Sequence, residues 1–205
     1  MERKDFSNLE ITVHNKKDLI FEHEDYIAGI APNLRGIHAT MYFQTPLETK
    51  IATDSFSKKN TTPEIELSNF LIESLNYIQK GIDANISIDI IVSELSFTTK
   101  IGNNHIDEIA KMRASRLLWS KLINQFNPKN QHSFALRINA RIETCINAFQ
   151  AILGGCQCII SKDKKHFFFE EETGILKTID PWAGATFIEK RTEEIATKAW
   201  MLFNK

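Results

Sequence analysis

Between Asn103 and Pro128 the apolar side chains Ile106, Ala110, Ala114, Leu117, Leu118 and Leu122 return every three or four residues. That spacing lays them along one stripe of an α-helix. Asn104 is placed to cap its start, and Asp107 and Glu108 sit where the helix dipole favours negative charge. Asp107 and Lys111 form an i, i+4 pair of the favourable order, and Asn127-Pro128 stops the run. Some 20 residues at ~1.5 Å each reach roughly 30 Å, the width of a small domain, so this helix can organise the others.

The same reading predicts a helix from Glu64 to Ala84, with Ile65, Phe70, Leu71, Leu75 and Ile78 as its core side and Gly81 near its end. Ile86 to Phe97 is a β-branched run between turn residues and predicts a strand, as does His132 to Asn139. Ile142 to Leu153 reads as a helix ended by Gly154-Gly155. Gly155 to Ile160 follows as a strand, and Thr192 to Phe203 as the closing helix. Pro32, Gly36 and Pro46 punctuate a loop region in which Thr40 to Phe43 is a short extended piece. Met1 to Tyr26 is polar and reads as an arm with one edge strand at Leu9, Ile11 and Val13. The strands read as continuous apolar runs, as in sheets covered on both faces. Alternating strands and helices point to right-handed βα units. The expected fold is α/β, an open, partial TIM-barrel-like parallel sheet of three to four βα units with flanking helices. It is divided into an arm at 1–27 and a barrel-like domain at 28–205.

Composition narrows the function classes. The chain has 205 residues, with 25 basic and 26 acidic side chains and a net charge of -1. It carries no basic surplus for nucleic acid and no polybasic membrane anchor. No apolar run nears the ~18 residues of a membrane span, and the charged N-terminus lacks a secretory h-region. Three cysteines, an odd number, do not suggest a disulfide framework, and a cytoplasmic location is expected.

Cys156-x-Cys158 places two thiols on one face of a strand, but no second pair or nearby histidine completes a tetrahedral metal set. Buried strand cysteines act as small hydrophobes, and no metal site is expected. Arg113 and Arg116 are read as solvated or ion-paired helix residues, with contacts to a partner or coenzyme as the alternative. Phe167-Phe168-Phe169 is read as core, with an exposed partner patch as the alternative. No Walker, G-x-G-x-x-G or H-E-x-x-H pattern occurs.

Three blocks in order, Ala28–Tyr42, Asn103–Pro128 and Gly174–Glu189 followed by Ala199-Trp200, resemble the catalytic barrel domain of the methylmalonyl-CoA mutase family, adenosylcobalamin-dependent isomerases of acyl-CoA. Thr40, Met41, Ser96 and Gln157 match positions that the resemblance places beside substrate or coenzyme A. The family's Arg-Pro-Trp-Thr-Ile-Arg-Gln-Tyr motif is altered. Thr45 and Lys50 replace its two arginines, and Ala52 replaces the tyrosine that contacts the acyl group. Lys50 keeps a charge without the planar fork that grips a carboxylate. His38 replaces another tyrosine and Glu94 an arginine, while Asn139 and Arg141 stand where the family has a histidine and a glutamine.

At Phe56–Pro63 the match jumps from the start of the family's barrel to well past its midpoint, a short family loop is absent after the strand that carries Asn139 and Arg141, and a third splice falls at Ser161–His166. An eight-stranded barrel typically needs ~250 residues, so a complete one is not expected. The family's cobalamin-ligating Asp-x-His-x-x-Gly motif does not occur, and no cofactor is expected to bind this chain alone. The resemblance therefore implies a degenerate mutase homologue without catalytic residues of its own. Its expected partners are a full-length mutase subunit or a second copy, and a coenzyme A ester. The alternative is an accessory or assembly subunit.

Overall fold

A computed structural model describes residues 21, 26–52, 61–164 and 174–205. Its order is β1 (Glu48–Ile51), α1 (Pro63–Asp83), α2 (Ile88–Ser93), β2 (Ser96–Lys100), α3 (His105–Asn124), β3 (Arg137–Ile142), α4 (Cys145–Leu153), β4 (Cys158–Ser161) and α5 (Thr186–Phe203). The strands form one parallel sheet in the order β1-β4-β3-β2. The expected open α/β sheet with flanking helices is present, with four strands. The edge strand expected at Leu9–Val13, most of the loop at Phe56–Pro63 and the Phe167–Phe169 run lie outside the described residues.

The central helix forms as its pattern requires. Asn104 Oδ1 accepts from the Asp107 amide, and the helix runs to Asn124. It is buried on nearly every side, which a single stripe does not anticipate. Ala110, Ala114, Leu118 and Leu122 lie in the core, but so do Ile109, Met112 and Trp119, while Ile106 is exposed. The expected Asp107–Lys111 pair does not form. Lys111 turns inward to Glu108 at 2.7 Å and to Glu66 of α1 at 3.0 Å, and Asp107 binds Arg191 of α5 at 2.6 Å.

Arg113 and Arg116 are fully buried. Arg113 Nη2 bonds both carboxylate oxygens of Glu189 at 2.6 Å, and its Nη1 binds Asp180. Of the two halves of the expectation, ion pairing describes Arg113 and solvation describes neither. Arg116 donates to backbone carbonyls instead, to Leu34 from Nε at 3.0 Å and Nη2 at 2.9 Å, and to Gly155 at 3.4 Å. Burial pulls its pKa down to about 10, despite the favourable field of Asp180. These contacts tie α5, the 180–184 turn, the 28–36 loop and the α4–β4 turn to one helix.

Four local expectations are corrected. Ile86–Phe97 is not one strand; it divides into α2 and the first residues of β2. Asp89 holds α2 by accepting from the amides of Lys129 and Asn130, both at 3.2 Å, and from Ser133 Oγ at 2.6 Å. Tertiary bonds thus override the β-branched preference. His132–Asn139 begins as a 3₁₀ turn at Gln131–Phe134, and its strand runs from Arg137 to Ile142. Thr40–Phe43 is a 3₁₀ turn over Met41–Phe43. The sheet is also covered on one face only. Ile138, Ala140 and Ile142 of β3 pack into the core, while Arg137, Asn139 and Arg141 line the opposite face.

Glu189→Ala should remove one of the two carboxylates that hold Arg113. A buried ion left short of its partner costs about 3–5 kcal/mol, and urea unfolding should show a loss in that range. A loss under about 1 kcal/mol would mean that the Arg113 cluster does not hold the helices together.

Candidate functional site

The polar face of the sheet is the candidate site. Register sets Glu48 opposite Cys158 and Cys158 opposite Asn139, with Asn139 opposite Thr98. One step further along the strands, Lys50, Ile160, Arg141 and Lys100 follow the same path across the sheet. Because alternate residues share a face, Glu48, Lys50, Arg137, Asn139, Arg141, Ser96, Thr98 and Lys100 all present side chains there.

The charges are largely paired. Arg137 reaches Glu48 at 2.6 Å, Lys50 lies 3.5 Å from Glu48, and Lys100 lies 2.8 Å from Glu143. The Arg137 hydrogen bond holds the Glu48 carboxyl below the usual range. Asn139 Nδ2 donates to Ser96 Oγ at 3.1 Å and to Thr98 Oγ1 at 3.2 Å, bridging β3 to β2.

At the start of β1 and β4, the strand end fed by the 28–46 loop, a cavity of about 30 Å³ is lined by His38, Met41, Tyr42, Thr45, Pro46, Glu48, Arg137 and Gln157. Four positions singled out from the sequence, His38, Met41, Thr45 and Gln157, meet here. For the last three, the chemistry is already engaged or absent. Gln157 Oε1 accepts from the Ile138 amide at 2.9 Å, and its Nε2 donates to the Gly155 carbonyl at 2.8 Å. Met41 is buried at φ +42°, with its thioether against Gly36, where a Cβ would come within 2.5 Å of sulfur. Tyr42 Oη donates to the Cys156 carbonyl at 2.6 Å and so locks the loop to the β4 entry.

Thr40 stands beside the cavity with its hydroxyl bonded to Gln44. Ser96 lies at the far side of the sheet face. Lys50 and Ala52 are at the other end of β1, and the Lys50 side chain is 60% exposed. Glu94 is exposed at the end of α2. Cys156 and Cys158 are both buried, and burial raises the Cys158 thiol pKa. Among the described residues no three His, Cys, Asp or Glu side chains are grouped to hold a metal.

Sequence reasoning missed the Arg137–Glu48 pair and the strand β1 itself. The signal for the polar face was present in β3, where Arg137, Asn139 and Arg141 alternate with apolar residues at period two.

A sequence profile of the family described as methylmalonyl-CoA mutase matches residues 47–164 and 160–205. The methylmalonyl-CoA mutase large subunit of Porphyromonas gingivalis is 35% identical over 177 residues, covering 70% of this chain and 25% of that subunit. The large subunit from Propionibacterium freudenreichii subsp. shermanii is 31% identical over 171 residues, covering 68% and 24%. The probable large subunit of Mycobacterium bovis is 29% identical over 212 residues, covering 85% and 28%. The chain spans about a quarter of the length of the curated relatives it matches.

His38 tests the electrostatics of this site. Burial first, then the fields of His132 and Arg137, lower its pKa from 6.5. A histidine with a lowered folded pKa binds its proton more readily in the unfolded chain. Its contribution to stability is therefore intact above pH 6.5 and declines as the pH falls through that value. NMR titration should find the His38 midpoint below 6.5, and Arg137→Gln should move it upward. A wild-type midpoint at or above 6.5 would contradict this geometry.

Proposed function

The chain belongs to the methylmalonyl-CoA mutase family, and we propose that it is a member that does not carry out the acyl-CoA rearrangement on its own. The observation that carries this reading is the open sheet. In a single copy the four described strands leave the sheet unclosed, with Glu48, Lys50 and Thr98 exposed on its polar face. Radical rearrangement of an acyl-CoA needs a closed site that keeps water and side reactions away from the intermediates.

The altered side chains support the same reading. Thr45 and Ala52 cannot supply the charge or the phenol that the resemblance assigns to their positions, and Lys50 is held near Glu48. Gln157 spends both ends of its amide on backbone. Adenosylcobalamin supplies the cobalt–carbon homolysis of the family's reaction when bound. The residues present on the solvent-open face do not fit an enclosed corrin site, so no cofactor role is assigned to them.

The strand order favours a second reading alongside the first, that of an assembly subunit. β1 and β2 follow one another in the chain yet occupy opposite edges of the sheet. Both edges lack a strand neighbour among the described residues, a condition that proteins otherwise blunt or cover.

Incubation of the purified chain with methylmalonyl-CoA and adenosylcobalamin should yield no succinyl-CoA above the protein-free control. Sustained, enzyme-proportional turnover would overturn the first reading.

A further inference from the structure

We propose that two copies of this chain join edge to edge, β1 of each against β2 of the other, and close one eight-stranded parallel barrel. This deepens the assembly reading and rests on it only in taking the sheet edges as the interface. It does not depend on whether turnover occurs.

The strand order carries the argument. In a (βα)8 barrel, strands consecutive in the chain are neighbours, and only the first and last strands pair across the closure. Here β1 pairs with β4, the last strand described, while β2, β3 and β4 are neighbours in sequence order. The β1–β4 ladder is therefore a closure seam, and the gap falls between β1 and β2. Against a barrel of eight, that gap is four strands wide, and a second copy holds four strands of the same sense.

The edges suit this join. Glu48 and Ala52 donate their amides to β4, so the alternation of a strand turns the amide of Thr49 away from the sheet. On β2 the Ile101 amide donates to Arg141, which turns those of Ser96 and Thr98 outward. No proline interrupts either strand. β1 is exposed at all four residues, a state that parallel strands avoid.

A two-fold axis along the barrel brings β1 of each copy beside β2 of the other, in parallel sense, at two equivalent seams. A β1–β1 contact across a two-fold would be antiparallel and would leave both β2 edges open. An intact barrel has no strand edge to offer, which favours a second copy over a complete barrel as the partner. Closure is also tolerable electrostatically, because Arg137 and Lys50 share Glu48 and Lys100 has Glu143 within each copy.

Native mass spectrometry and sedimentation of the full chain should give twice 23.5 kDa, with no growth beyond two copies as concentration rises. Thr49→Pro and Thr98→Pro each remove one outward amide and no amide of the internal ladder. Each variant alone should be monomeric with an unchanged far-UV circular dichroism spectrum. An equimolar mixture should recover a dimer through the one intact β1–β2 seam.

Hydrogen exchange on the wild-type chain gives a second readout that needs no variant. The outward amides of Thr49 and Thr98 should be protected at concentrations where the dimer forms and lose that protection on dilution. A wild-type monomer overturns the proposal, as does growth into longer assemblies, or a Thr98→Pro chain that still dimerises. A monomer that complexes with a full-length mutase instead would retain the assembly reading and reject the closed dimer. Turnover bears on neither outcome.

Discussion

Three cations buried on one helix set the geometry of this protein. Lys111, Arg113 and Arg116 are each 1% exposed or less, and withdrawing such groups from water costs several kcal/mol apiece unless partners replace it. Each finds its partner on a different element. Lys111 takes Glu66 of α1, Arg113 takes Glu189 of α5 and Asp180 of the preceding turn, and Arg116 takes carbonyls of the 28–36 loop and the α4–β4 turn. Apolar packing alone would allow helices to slide against one another. These pairs admit one arrangement, because any slip strands a charge in the core.

With α3 fixed in this way, the sheet is fixed on one side and open on the other. Phe97 of β2 and Ile138, Ala140 and Ile142 of β3 meet the core, while Ser96, Thr98, Arg137, Asn139 and Arg141 line the opposite face in rows that cross the strands. The face resembles the inside of a barrel more than the outside of a sheet. Its charges are compensated in pairs, and its amides bridge strand to strand. The cavity at one end is lined in part by Gln157 and Tyr42, whose polar groups bind backbone. The family's architecture persists here as packing and pairing, and both ends of the Gln157 amide serve that packing.

The three helices α1, α3 and α4 were legible in the sequence from their apolar spacing and end signals: Asn104 at the start of α3, Gly81 near the end of α1 and Gly154-Gly155 after α4. β1 was not, since Glu48–Ile51 has a single apolar residue and exists only because β4 accepts it. Ile86–Phe97 misled for the opposite reason. Its local preference was clear, but Asp89 is anchored by backbone amides some 40 residues away, a contact invisible to any local pattern. The inner face was legible in the alternation of Arg137 to Ile142. The Arg137–Glu48 pair was not, because it reaches across β4 between strands far apart in sequence. Partner choice on α3 was equally hidden, since helical spacing offered Asp107 to Lys111 but burial selected Glu108 and Glu66.

The β1–β4 ladder also has a consequence in time. Among the described residues, 48–51 find their strand partner in residues 158–161, roughly a hundred residues later, and at synthesis rates of about 5–20 residues per second the ribosome takes several seconds to deliver it. The β2–α3–β3 unit can fold as it emerges, whereas β1 must wait, unpaired, beside a nascent core. Such late, long-range pairing slows folding and leaves an adhesive segment exposed early. The first of the described strands to be made is thus the last of them to be placed, and a second nascent chain would meet it in that state.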